Sequence, residues 1–413
     1  MILYDEAIKR MLSNAPRPEV EEVSVSESLG RITACDILSC ENIPSFSNSA
    51  MDGFAFRYPD NKILTPSEKF KVMGIIAAGD DITQLRSTGQ NEAWEIMTGA
   101  SMPPDCNTVI KVEDTCRRGE EVIFNQIPKF GTHVRKAGED FAVGDSIIKQ
   151  GTRIFPEHVM ALAALGVQSI SSVRRPKVGI ISTGAELMSE GSLSPGKIRN
   201  STAPFLTGEL DLLGTEAKFL GSNSDDPKEF LKVLRGQVDK EVDIVISTGA
   251  VSMGKYDFVA TALRDLGAEI LFHKTAIRPG KPLLVARLGK TIFFGVPGNP
   301  VSTAVAIRFF VEPYLRAIQG ARPELGTLFK LKSRIKKPEG LRCFFKAVSF
   351  IEDGNALVEI LPGQESFKVS PLLTANSWAV LPEAGASLEA GEKVRVFGLH
   401  SWGTKEIVFG EKR

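Results

Sequence analysis

Four glycine-containing loops in the middle of the chain hold the residue types best suited to chemistry. They are Ser182-Thr183-Gly184-Ala185-Glu186, Ser247-Thr248-Gly249-Ala250-Val251-Ser252-Met253-Gly254, Arg278-Pro279-Gly280-Lys281-Pro282 and Val296-Pro297-Gly298-Asn299-Pro300. Each pairs glycine, which lets backbone come close to a ligand, with hydroxyl, amide or cationic groups. A single loop of this kind reads equally well as an ordinary turn; four together argue for a protein that handles phosphate. In the last loop an apolar strand-like run stops at Gly295. A Pro-Gly turn follows, and then a helical pattern, with Asn299 at the N-cap position and Pro300 at the first helical position. A strand feeding a helix N-terminus aims N–H groups and a positive dipole end at one point, which makes an anion site. None of the loops fits the P-loop or dinucleotide-binding fingerprint. Carboxylates at Glu186, Asp225, Asp226 and Asp257 fall beside the same loops. One or two such groups next to phosphate commonly hold Mg²⁺. Asp226-Pro227 also reads as a plain helix start, so Asp257 is the better candidate.

The elements that would carry these loops lie between residues 174 and 322, where apolar strand-like runs alternate with helical stretches. That alternation predicts a doubly wound, mainly parallel α/β domain, with ligands outside the carboxyl ends of its strands. Before it, residues 45–144 read as strands and turns, a β-rich module. After Pro323 the strand pattern returns and predicts a C-terminal β-domain over 323–413. In the β-rich module, Ser47 to Ala55, Met97 to Ala100 and Arg135 to Asp140 are dense in small polar groups. On physical grounds alone they are solvated turns.

The chain has 413 residues, enough for several cores, and 43% of them are hydrophobic. Fifty Lys and Arg balance fifty Asp and Glu. No bulk field therefore draws nucleic acid or an anionic membrane, and an anion must be caught by local geometry. Five scattered cysteines without a Cys-x-x-Cys pair, and four histidines, disfavour zinc and read as reduced thiols. No apolar stretch approaches the ~20 residues of a membrane span. Asp5 and Glu6 sit early with no signal-like apolar core, so the expected location is cytoplasmic.

Seven segments in order resemble the molybdenum insertases, the molybdopterin molybdenumtransferase family that includes bacterial MoeA and the C-terminal part of gephyrin. They are Asn48 to Gly53, Met97 to Ala100, Gly138 to Asp140, Ser182 to Leu187, Gly249 to Asp257, Pro279 to Pro282 and Pro297 to Ser302. The resemblance implies a four-part subunit: an elongated linking domain from residues 1–44 and 145–173, a β-rich domain inserted over 45–144, the α/β domain over 174–322 and a C-terminal β-barrel over 323–413. It also implies a homodimer whose cleft is shared between the α/β domain of one subunit and the inserted domain of the other. The implied reaction takes adenylylated molybdopterin and molybdate, with Mg²⁺, to molybdenum cofactor and AMP. A molybdopterin adenylyltransferase and apo-molybdoenzymes are the implied partners. On this basis Asp52 and Thr98 lie on the inserted-domain side, supported by Asp140. Glu186 and Asp257 polarise metal or substrate, with Asp226 a third metal candidate. Ser252 and Gly254 line the nucleotide pocket, Lys281 neutralises oxyanion charge, and Pro297, Gly298 and Asn299 present the helix end. Ser182, Thr183, Gly184, Gly249, Arg278 and Gly280 complete the substrate contacts.

The chain departs from the family pattern at Ser47, Ala185 and Asn200, where carboxylates are usual, and at Arg278, where Lys is usual. Two other readings compete with the insertase: a cofactor-binding or scaffold paralogue, and a molybdopterin adenylyltransferase. The second suits the α/β domain but leaves the two β-rich modules unexplained.

Overall fold

The computed structural model describes residues 1–60, 64–188, 191–223, 227–238, 242–249 and 258–400. The α/β unit is built on six strands: β1 (Lys177–Thr183), β2 (Glu216–Asn223), β3 (Ile244–Thr248), β4 (Glu269–His273), β5 (Leu284–Leu288) and β6 (Thr291–Val296). Their order across the sheet is β2-β1-β3-β6-β5-β4. The first four of these run parallel, while β5 is antiparallel to both β6 and β4. The sheet is mainly parallel as expected, but the edge strand β4 was not anticipated from sequence. Two reversals return β4 to the direction of β6. The connection from β4 to β5, which carries Arg278 to Pro282, therefore lies on the same edge as the carboxyl ends of the parallel strands.

Continuous apolar runs in β1, β3 and β6 are buried on both faces, as a covered parallel sheet requires. Val178, Ile180, Ile244, Ile246, Ile292 and Phe294 face Leu206, Leu210 and the long helical segment that begins at Pro300. Ile181, Val245 and Phe293 face Phe230, Leu234, Val259 and Leu263 on the other side. The helical segment runs Pro300–Ala306, then a π-turn over Ile307–Val311, then Glu312–Ile318. The first helix, Tyr4–Leu12, was grouped by sequence with the linking unit. It packs instead into this core through Ala7 and Met11, and the Tyr4 hydroxyl donates to Phe309 O.

The inserted module is a six-stranded sheet ordered Thr108–Lys111, Gly53–Phe56, Glu92–Ile96, Lys69–Ile76, Glu121–Phe124, Thr115–Arg118. The linking unit joins Val20–Ser24 to Ser169–Val173 and Ile37–Leu38 to Ser146–Ile148, beside the helix Pro156–Ala164. In the C-terminal domain Arg342–Glu352, Asn355–Ile360, Thr327–Leu331, Lys393–Gly398 and Ser377–Leu381 pair in a closed ring, a five-stranded barrel.

A buried charge network fixes the long helical segment. Glu312, 2% exposed, accepts from Arg308 Nη1 at 2.9 Å and Arg316 Nε at 3.0 Å, and Arg308 Nη2 reaches Glu324 at 2.8 Å. Removing one partner of such a network leaves buried charge uncompensated, at a cost of about 3–5 kcal/mol. Glu312→Ala should therefore move the urea unfolding midpoint well below wild type, with a smaller loss for Glu312→Gln. An unchanged midpoint would show the network to be energetically idle.

Candidate active site

Strand connections reverse between β1 and β3: the chain leaves β1 for β2 on one side and later enters β3 on the other. In open α/β sheets such a switch point opens a crevice at the carboxyl ends, where ligands bind. Here those ends are Thr183 and Thr248-Gly249. The Thr183 hydroxyl donates to Thr248 O at 2.9 Å, and Gly249 N–H donates to Val296 O at 3.0 Å, so three strand ends are laced together. Gly249 has φ +86°, and a Cβ on it would stand 2.6 Å from Thr183 O. Only glycine fits there. Across the gap, a Cβ on Gly298 would lie 3.8 Å from Gly249 Cα. Gly280, at φ +102°, faces Ser302 O at 3.7 Å from the equivalent position. Three of the four loops singled out by sequence thus converge, through Thr183, Gly249 and Gly298, and the Gly280 loop packs against the first turn of the helix that follows the fourth.

Their side chains divide into structural and accessible groups. Ser182 and Thr183 are buried, whereas Glu186, Arg278, Lys281, Gly298 and Asn299 are exposed. Gly184, at φ +141°, has the Glu186 carboxylate folded over it, with Oε1 2.7 Å from where a Cβ would be. Lys197 Nζ ties this loop by donating to Ala185 O. Pro297 O accepts from the Thr303 hydroxyl at 2.7 Å, which locks the turn onto its helix.

Asn299 occupies the N-cap position with extended backbone, but its side chain makes no capping bond. The helix end is also less free than expected. Pro300 has no N–H, and Val301 N–H donates to Ser366 O of the barrel domain at 3.0 Å.

Asn200 is a residue that sequence reasoning noted only as a departure. Its Nδ2 donates to the Ser182 hydroxyl at 3.0 Å and to the Ser222 hydroxyl at 3.2 Å, which bridges β1 and β2. Its Oδ1 accepts from Ala203 N–H at 3.1 Å, capping the helix Thr202–Leu212. The signal was present: Asn-Ser-Thr ahead of an apolar helical pattern is a cap signature.

The inserted sheet builds a second group. Register pairs Gly53 with Ile96, so Asp52 comes beside the turn at Thr98. One carboxylate oxygen, Oδ1, accepts from both Thr98 N–H at 2.6 Å and the Thr98 hydroxyl at 2.8 Å. These two bonds, the backbone one foremost, hold the exposed Asp52 carboxyl below its usual range. Oδ2 has no protein partner among the described residues. A Cβ on Gly53 would lie 1.9 Å from Ile110 O, so the Asp52-Gly53 pair must end in glycine. Asp140 is exposed, on a turn whose Gly138 and Asp140 N–H groups donate to Pro44 O and Ile43 O. Among the described residues no hydrogen bond or ion pair joins Asp52 or Thr98 to the strand-end loops.

Asp226, Ser252, Gly254 and Asp257 lie outside the described residues. Among the described residues no three His, Cys, Asp or Glu side chains gather as a metal site, and no helix is long and apolar enough to cross a membrane.

Three family models match the chain in sequence. They are the MoeA N-terminal region (domain I and II) over residues 2–166, a "Probable molybdopterin binding domain" over 179–317, and the MoeA C-terminal region (domain IV) over 329–399. The molybdopterin molybdenumtransferase of Synechococcus elongatus is 36% identical over 409 residues, 97% of this chain and all of that protein. That of Bacillus subtilis is 33% identical, over 96% of this chain and 93% of its own. A crystal structure of the molybdopterin biosynthesis MoeA protein from Pyrococcus horikoshii superposes with a TM-score of 0.81 at 29% identity, covering 97% of this chain and all of that one. With its glycine-laced strand ends and its Asp52-Thr98 turn read alongside these matches, the chain belongs to the molybdopterin molybdenumtransferase family.

Proposed function

We propose that this protein is a molybdenum insertase of molybdenum cofactor synthesis, which takes molybdate and adenylylated molybdopterin and releases AMP. The observation that carries the reading is the meeting of Thr183, Gly249 and Gly298 at the strand carboxyl ends, with the Gly280 loop, which bears the exposed Lys281 and Arg278, packed on the helix that follows Gly298. Glycine backbone can lie flat against a phosphate chain. The two cations hold the negative charge that grows on the departing AMP phosphate, Lys281 as a compact ammonium and Arg278 as a planar fork. Asp52, Thr98 and Asp140 form the opposite wall, and Ser252 and Gly254 belong to the nucleotide side.

Mg²⁺ fits the donor chemistry in a limited way. Glu186 is an exposed carboxylate at the mouth, and one carboxylate plus substrate phosphates is a common way to hold this ion. Asp226 and Asp257 are the further proposed ligands. When bound, the ion would supply charge neutralisation at the pyrophosphate.

The Asp52 wall and the strand-end loops carry complementary chemistry and, among the described residues, share no bond, which supports a cleft formed between two subunits of a homodimer. A cytoplasmic location, an adenylyltransferase that delivers the substrate and apo-molybdoenzymes that receive the product belong to the same proposal. A scaffold or carrier would bind the same ligands without turnover. Ligand binding with no molybdate-dependent AMP release would favour that reading.

Three outcomes check the proposal. Asp52→Ala should cut molybdate-dependent AMP release by about a hundredfold or more, the scale of losing one preorganised charged group, while the circular dichroism stays native. Near-normal release would remove Asp52 from the site. Sedimentation at micromolar concentration should give roughly twice 44.9 kDa, and a fully active monomer would refute the shared cleft. Lys281→Ala should weaken AMP or molybdate binding by about ten- to a hundredfold in calorimetric titration, with a milder loss for Lys281→Arg. Unchanged binding in the alanine variant would reduce Lys281 to a solvated turn residue.

A further inference from the structure

A lysine in the middle of an apolar strand needs an explanation. Lys346 lies in Arg342–Glu352, flanked by Phe345 and Ala347, and is 0% exposed. Among the described residues its ammonium meets no carboxylate within ion-pair distance. It donates instead to three main-chain carbonyls of one turn: Gly363 O at 2.7 Å, Lys368 O at 3.1 Å and Glu365 O at 3.4 Å. The same turn is gripped a second time. Gln364 Oε1 accepts from Lys346 N–H at 3.0 Å, and its Nε2 donates to Lys346 O at 2.9 Å and Leu361 O at 2.7 Å. A buried cation is retained only where its hydrogen-bonding capacity is met. Here all three ammonium protons go to one loop.

That loop is the one that crosses to the α/β domain. Its Ser366 carbonyl takes the N–H of Val301, the first donor of the long helix, three residues after Gly298. The following residue, Phe367, is 65% exposed, so an aromatic face stands one residue from that bond. A second tie runs alongside: Ile277-Arg278, immediately ahead of Pro279-Gly280, pairs in parallel register with Arg342-Cys343 of Lys346's own strand. The barrel thus holds two of the four strand-end loops, one by its strand and one by the Lys346 turn.

We infer that the turn from Gly363 to Lys368 is a wall of the substrate site and that Lys346 is a positioning residue, which sets the Pro297-Gly298-Asn299 turn through Ser366 and Val301. The inference rests on the proposed function for what the wall faces, namely the nucleotide part of the substrate, but not for the clamp itself.

The test uses the full-length protein with AMP as the probe, in wild type, Lys346→Met and Lys346→Arg. Lys346→Met should weaken AMP about tenfold by calorimetry, the effect of losing one ordered contact, and speed amide hydrogen exchange at Val301 by a similar factor. Lys346→Arg, which can still donate to the carbonyls, should restore most of both. Gln364→Ala loosens the same turn without touching the buried charge and should act in the same direction. It decides the question if Lys346→Met does not fold. A variant with a lowered melting temperature but wild-type AMP affinity and wild-type exchange at Val301 would overturn the inference. If wild type itself does not bind AMP, the proposed function fails, while Val301 exchange still decides the clamp.

Discussion

The architecture of the site depends on main chain approaching main chain where a methyl group has no room. Gly249 meets Thr183 O at a distance no Cβ tolerates, and Gly53 meets Ile110 O more closely still. The first contact brings two parallel strand ends together at the switch point of the sheet. The second lets the strand that follows Asp52 lie flush on Thr108–Lys111, while its pairing with Glu92–Ile96 on the other side brings Asp52 to Thr98. A side chain at either position would force the strands apart and move the groups they carry. These glycines set distances between chemical groups that other residues supply.

Electrostatics follows from that geometry because the chain has no net charge to offer. The helix that starts at Pro300 contributes less than its position promises, since the proline brings no donor and Val301 gives its N–H to Ser366. Among the described residues, positive charge on these loops comes from the exposed Lys281 and Arg278 and from glycine backbone. In the inserted sheet, Thr98 takes up one oxygen of Asp52 and holds its carboxyl below the usual range, while Oδ2 has no protein partner among the described residues. The strand-end loops present cations and bare backbone, the inserted sheet a fixed carboxylate.

Sequence carried much of this. The glycine loops, the strand and helix alternation and the Pro300 helix start all rest on local signals, turn chemistry and apolar period, and those signals survive folding. What escaped is non-local. The strand Glu269–His273 is short and half-exposed at a sheet edge, so its pattern is weak, and it exists because Leu284–Leu288 is there to pair with it. The placement of Tyr4–Leu12 is set by a groove made more than 250 residues later in the chain, beside Phe309 and Phe344. Asn299 has the right position for a cap, yet whether its amide bonds to the helix depends on neighbours that position does not reveal. Lys346 was visible as a lysine inside an apolar run, but its partners lie in a turn with no apolar period of its own.

The division of labour among the units follows from these ties. The α/β sheet brings four loops to one edge, yet two of those loops, at Arg278 and at Pro297, would end in open space if the sheet stood alone. The barrel closes that side with a strand pairing at Ile277-Arg278 and a single hydrogen bond at Val301. Arg342 adds a further link, since its guanidinium reaches Asp5 of the first helix at 2.6 Å and Glu383 of the barrel at 3.0 Å. The first helix, the barrel and the long helix therefore brace one another around the outer loops. The inner loops at Thr183 and Gly249 are braced by the sheet itself. Precision at the inner loops comes from strand pairing, which is stiff. At the outer loops it comes from a few contacts between domains, so substitutions in the barrel should reach the site through Arg278 and Pro297 before they disturb Thr183 or Gly249.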